Sequence, residues 1–171
     1  MTAPIFGVVG WKNSGKTTLM ANLIREFTAR GFAVSVLKHA HEKFEVDHPG
    51  RDSFKMREAG ARQVMLSSPR RFALMRELAD TREMTFEELL PYAGDCDLIL
   101  VEGYKREAYP KIEIRREGAA SREPLTAKFP DVVAIASDRP EREEDSLPTF
   151  SIDDIGPIAD FIAALLGLRR P

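Results

Sequence analysis

A second cysteine is missing. Cys96 stands alone among 171 residues, so no intramolecular disulfide forms, and a reducing, cytoplasmic compartment is expected. No apolar run approaches the roughly 18 residues a membrane helix needs. The opening MTAPIFGVVG has no basic n-region and only a short apolar stretch, so no secretory signal is expected. A surplus of basic charge is also absent. Lys and Arg total 25 against 27 Asp and Glu, a net charge of -2, and global charge does not favour nucleic-acid binding. Cysteine-rich zinc spacings are absent, which argues against a structural zinc site. There is no internal repeat, low-complexity tract or interdomain linker. A single domain over residues 1–171 is expected, burying roughly two-thirds of its unfolded surface.

What the chain has is IFGVVGWKNSGKTTLM, from Ile5 to Met20. An apolar run reaches Gly10, and Gly15, Lys16 and Thr17 follow at the spacing G-x-x-x-x-G-K-[ST], the Walker A phosphate loop (P-loop). Glycines at both ends let the backbone turn tightly and its N–H groups converge on an anion. Lys16 brings a point charge to phosphate, and the Thr17 hydroxyl suits Mg²⁺. The helix opening at Lys16 adds its positive end. Leu19, Leu23, Ile24 and Phe27 recur at helical spacing behind it, which is the context the motif requires.

Further along, strands are predicted over Ile5–Val9, Phe32–Leu37, Leu98–Val101, Asp131–Ala136 and Thr149–Ile152, and helices over Lys16–Arg30, Asp52–Ala59, Phe86–Leu90 and Pro157–Leu168. FAVSVL reads as a buried parallel strand. KIEIR, Lys111–Arg115, alternates and reads as half-exposed. Ile158, Phe161, Ile162 and Leu165 form the apolar face of the last helix. The fold expected is three-layer α/β of the P-loop NTPase type, with a mostly parallel central sheet and a protruding hairpin within residues 62–80. The arm RFALMREL is equally compatible with a helix. The pair reads either as a dimer contact or as an ordinary edge of the main sheet.

Two segments follow strand carboxyl ends, where ligands sit in open α/β sheets. Lys38–Ser53 carries all three histidines, His39, His41 and His48, with Asp47 and Asp52 as candidate Mg²⁺ or water-positioning carboxylates. It reads as a functional loop or as a solvated one. Glu102 ends LILVE, where a Walker-B acid would hold Mg²⁺ or orient a water. Gly103 beside it lets backbone approach a ligand. The alternative is a solvent-facing glutamate. Ser137-Asp138-Arg139-Pro140 ends another strand on the same edge.

The combination GWKNSGKTT, KHAHEKFEVDHPGRDSFKMREAGA and LILVEGYK resembles the molybdopterin-guanine dinucleotide biosynthesis adapter family, MobB. The likeness covers most of the chain, and the middle block is its specific part. It implies GTP binding with weak GTPase activity, Mg²⁺ and a homodimer. It also implies a MobA-type partner enzyme that attaches GMP to molybdopterin to form the dinucleotide cofactor. By position, Gly10, Asn13, Ser14, Gly15, Lys16, Thr17 and Thr18 would bind the phosphates, with Mg²⁺ on Thr17. Glu102 and Gly103 match the family's EG motif. His39, His41, Asp47, Gly50, Asp52 and Ser53 match a switch-like segment, and Asp138 falls in the base-side loop. The resemblance thus casts Lys16, Glu102 and Asp52 as catalytic, and Thr17, Glu102 and Asp52 as metal ligands. Asn13 and Asn22 are the only asparagines, so no N-K-x-D guanine motif exists, and guanine preference rests on the resemblance and on Asp138.

Three rival functions remain open. One is a small-molecule kinase or ATP-dependent ligase, with Arg51, Arg57 and Arg62 as substrate contacts. Another is a GTPase metallochaperone using the histidines. The third is a binding adapter in which nucleotide is only structural.

Overall fold

The computed structural model describes residues 3–40, 44–78, 82–121, 123–143 and 146–169. His41, and Glu144 and Asp145 of the charged 140–148 segment, lie outside the described residues. In chain order the elements begin with β1 (Ile5–Gly10), α1 (Lys16–Ala29), β2 (Val34–Lys38), α2 (Asp52–Glu58), β3 (Gln63–Ser68) and β4 (Arg71–Arg76). They continue with α3 (Phe86–Leu89), β5 (Leu98–Glu102), β6 (Lys111–Arg115), β7 (Val132–Ser137), β8 (Thr149–Ser151) and α4 (Ile155–Leu166). The chain divides into two compact units, residues 1–39 with 86–171, and residues 40–85. No helix among the described residues is long and apolar enough to cross a membrane.

The first unit is built on a six-stranded sheet in the order β2-β5-β1-β6-β7-β8, parallel at every pairing. A parallel sheet needs cover on both faces, and strand alternation supplies it. Phe6, Val8, Leu98, Leu100, Ile112 and Ile114 face one way and pack with Leu19, Leu23 and Phe27 of α1 and Ile158 and Ile162 of α4. Ile99 and Val101 face the other way, against Phe86 of α3 and Tyr109. These are the expected three layers. The connections diverge at β1, with β5 and β2 on one side and β6 to β8 on the other. The carboxyl end of β1 is therefore the switch point where such folds take ligands.

Three expectations change. FAVSVL forms a strand only from Val34, and it is the sheet edge, with Val36 47% exposed. KIEIR is not half-exposed: β6 lies between β1 and β7, and Lys111 and Glu113 are buried at 0% and 1% exposure. The buried polar groups are satisfied locally, as burial demands. The Lys111 ammonium donates to the Tyr109 carbonyl at 2.9 Å and to that of Glu107, and faces Asp131 at 3.8 Å. The Glu113 carboxylate accepts the Leu125 N–H and the Arg115 guanidinium, each at 2.8 Å. In α4 the buried positions are Ile158, Ala159 and Ile162, while Leu165 is 46% exposed.

The second unit holds α2 and the β3–β4 hairpin. The arm RFALMREL is a strand, paired antiparallel from Gln63↔Arg76 to Ser68↔Arg71. It forms a sheet of its own, not an edge of the main one. Ser68 closes the turn by accepting the Arg71 N–H at 3.0 Å. Arg57 gathers this unit's acids: Glu77 at 2.8 Å, Glu45 at 3.0 Å and Asp47 at 3.6 Å. Met65, Leu66 and Phe72 of the hairpin are exposed.

Candidate functional site

The loop between β1 and α1 is shaped by its small residues. A Cβ at Gly10 would meet the Ser14 hydroxyl at 2.6 Å and the Ile114 carbonyl at 3.0 Å, so only glycine fits. Asn13 and Gly15 take left-handed backbone, with φ of 65° and 94°, and turn successive N–H groups towards one concavity. Lys16 donates from Nζ to the Trp11 carbonyl at 2.8 Å, strutting the loop. Burial lowers the Lys16 pKa from the ordinary lysine value, and the Glu102 carboxylate opposes that shift. The Ser14 hydroxyl is fully buried without a hydrogen-bond partner. Such an orphan is uncommon, and here it lies in the loop beside Gly10. Trp11 anchors the loop's outer side, its indole N–H donating to the Glu123 carbonyl at 2.8 Å.

Opposite the loop stands Glu102, the last residue of β5 and 9% exposed. The Thr17 hydroxyl lies 3.3 and 3.4 Å from its two carboxylate oxygens. Lys38, its register partner on β2, places Nζ 3.3 Å from Oε1 of Glu102 and 3.5 Å from the Thr17 hydroxyl. Beside Thr17 and Glu102 lies a cavity of about 310 Å³, lined by Asn13, Gly15, Lys16, Thr17, Thr18, Glu102 and Arg116. Among the described residues no cluster of three His, Cys, Asp or Glu forms a metal cage. Mg²⁺ held with phosphate needs none: it takes hard oxygens, keeps several waters and uses one or two carboxylates. Thr17 and Glu102 supply that donor set, so the residues fit.

Gly103 has φ 98°, and a Cβ there would stand 2.8 Å from the Cβ of His39. His39 donates its N–H to the Glu102 carbonyl at 2.9 Å and lays its ring on Tyr104, 4.8 Å between centroids. It neighbours the cavity without lining it. Gly103→Ala is expected to cost about 2 kcal/mol, from left-handed backbone and the His39 contact, and to lower Tm by roughly 4–8 °C. Thermal unfolding followed by circular dichroism checks this, and an unchanged Tm would show that the EG turn tolerates a side chain.

Asp138, at the carboxyl end of β7, accepts the Glu117 N–H at 2.9 Å, and Arg139 pairs with Glu117. Segment 137–140 is thus tied to the residues after β6. Asp47, Asp52 and Ser53 belong to the second unit. Asp47 accepts from the Ser53 hydroxyl at 2.9 Å and from the His48 N–H at 3.0 Å. These bonds account for it as an organiser of its own loop. Asp52 opens α2, its side chain 91% exposed and 3.9 Å from Lys55.

Sequence reasoning missed Arg116 and Lys38. Arg116 reaches the cavity because β6 lies beside β1, a long-range pairing. Its signal was its position just past a strand's carboxyl end. In sequence Lys38 merely opens a polar segment; the register Lys38↔Glu102 is what brings it to the carboxylate.

The family model for molybdopterin guanine dinucleotide synthesis protein B matches residues 5–138. The chain is 38% identical over 161 residues to the molybdopterin-guanine dinucleotide biosynthesis adapter protein of Escherichia coli (strain K12), covering 93% of this chain and 91% of that one. It is 39% identical over 164 residues to the protein of that name from Haemophilus influenzae, covering 93% and 87%. Among solved structures, Bacillus subtilis MobB superposes with a TM-score of 0.75 at 28% identity, over 98% of this chain and 99% of that one. A crystal structure of molybdopterin-guanine biosynthesis protein B gives 0.73 at 26% identity, over 95% and 99%. A phosphate loop facing a strand-end glutamate, carried on this sheet order and matched over nearly the whole chain, places the protein in the MobB family.

Proposed function

We propose that the chain is a GTP-binding adapter of molybdopterin-guanine dinucleotide biosynthesis, with slow GTPase activity. It assists a MobA-type nucleotidyltransferase in converting molybdopterin cofactor to its guanine dinucleotide form. The observation that carries the nucleotide reading is the cradle of Gly10, Asn13, Gly15 and Lys16 with Thr17 and Glu102 facing each other across it. Its backbone amides and Lys16 bind phosphate, and Thr17 and Glu102 would hold Mg²⁺. When bound, Mg²⁺ supplies charge neutralisation to the phosphates. Arg116, at the other wall, adds a cation supplied within the chain. Among the described residues no glutamine or histidine lines the cavity to orient a water, which supports slow turnover. Asp138 keeps one carboxylate oxygen beyond its bond to Glu117 for a guanine N–H edge. The exposed apolar hairpin residues Met65, Leu66 and Phe72 support a homodimer through that surface.

The test is competition calorimetry followed by reconstitution. GTP is expected to displace ATP. Added chain is expected to raise dinucleotide formation by the purified nucleotidyltransferase from molybdopterin and GTP. ATP preference with no effect on that reaction would overturn the reading in favour of a kinase or ligase.

A further inference from the structure

We propose that Lys38 is an exchangeable counter-ion of the metal position. Its ammonium neutralises Glu102 and contacts Thr17 while no metal is bound, and a divalent cation arriving with nucleotide displaces it. This rests on the nucleotide-site reading above. Glu102 has a side chain only 11% exposed, and a carboxylate so buried needs a cationic partner. Lys16 is drawn to the Trp11 carbonyl. Among the described residues the Lys38 ammonium is the cation in ion-pair contact with the carboxylate, 3.3 Å from Oε1, and it lies 3.5 Å from the Thr17 hydroxyl. Those two atoms are the proposed metal ligands. An ammonium and a divalent cation on the same pair of oxygens would stand a few ångströms apart and repel. Lys38 is free to leave: it ends the edge strand β2, with its side chain 52% exposed. The register Lys38↔Glu102 returns it to the same carboxylate whenever the metal departs.

Exchange makes a measurable coupling. In metal-free protein Lys38 shields the entering phosphates from Glu102, so nucleotide binds without metal. With metal present, part of the metal's affinity is lost to displacing the ammonium. Removing the ammonium weakens the first state and relieves the second, so nucleotide and metal become more strongly coupled.

The experiment is calorimetric titration of a non-hydrolysable GTP analogue, in EDTA and in Mg²⁺, into wild type, Lys38→Gln and Lys38→Arg. The ratio of Kd without metal to Kd with metal is expected to rise about five-fold or more in Lys38→Gln, by the reciprocity of linked binding. In Lys38→Arg, which keeps the charge, the ratio is expected to stay near that of wild type. Equal weakening in both conditions would make Lys38 an ordinary phosphate contact and overturn the proposal. So would a ratio that falls, or one that rises as much in Lys38→Arg. If Lys38→Gln fails to fold, Lys38→Met is read the same way. Wild type that binds the analogue in neither condition would overturn the nucleotide site itself, and this proposal with it.

Discussion

Lys16→Ala is expected to abolish GTP binding while leaving the protein folded. Truncating one partner of a desolvated charge pair costs about 2–5 kcal/mol, roughly 30-fold to several thousand-fold in affinity. Here two functions go together. The side chain supplies one of the two cations lining the cavity and also holds the Trp11 carbonyl at 2.8 Å. The fold does not depend on it, because the buried positions of α1 are Leu19, Met20, Leu23 and Phe27. Calorimetry should show no GTP binding, with circular dichroism and Tm close to wild type. Retained GTP affinity would mean the cavity is not the nucleotide site. A pH series adds a sign. Burial lowers the Lys16 pKa in the free protein, and phosphate restores the proton, so binding takes up a proton at alkaline pH. Affinity of the wild type should then fall as pH rises, beginning below the ordinary lysine value of 10.5.

The parts of the site legible in the sequence were those where chemistry dictates residue type at fixed spacing. Gly10 must be glycine because Ser14 and Ile114 close on its Cα. Gly15 must take left-handed backbone, and Lys16 and Thr17 follow by local geometry. The hairpin is only partly legible: Ser68-Pro69-Arg70 favours a turn, but RFALMREL suits a helix equally until Gln63–Ser68 pairs with it. What stayed hidden depends on which strands become neighbours. FAVSVL looks like a central strand, but its place at the edge is decided by β5 inserting between it and β1. Arg116 reaches the cavity only because β6 pairs with β1, and Lys38 meets Glu102 only because β2 pairs with β5. KIEIR shows a further limit. Alternation of period two says which side chains share a face, not whether that face meets water.

Glu113 turns that misreading into a test. Glu113→Ala is expected to cost about 2–3 kcal/mol, the usual result of leaving a buried N–H without its acceptor, and to lower Tm by roughly 5–10 °C. The loss falls on Leu125 more than on Arg115. The Arg115 guanidinium keeps Glu143 at 2.8 Å, so it is not stranded. The Leu125 N–H has no such substitute for its 2.8 Å bond to Glu113. Leu125 is 1% exposed and packs with Val9, Trp11 and Phe129 on the floor of the phosphate loop. Loosening it therefore reaches Trp11, the chain's only tryptophan, whose indole is tied to Glu123 two residues before Leu125. Tryptophan emission in Glu113→Ala should shift towards that of exposed indole at temperatures where far-UV circular dichroism is still native. Glu113→Gln keeps a carbonyl acceptor for the Leu125 N–H and should recover most of the emission while recovering only part of the Tm. A Glu113→Ala protein with native Tm and native emission would show that β6 bears its buried charge without using it to seat the β1–α1 loop.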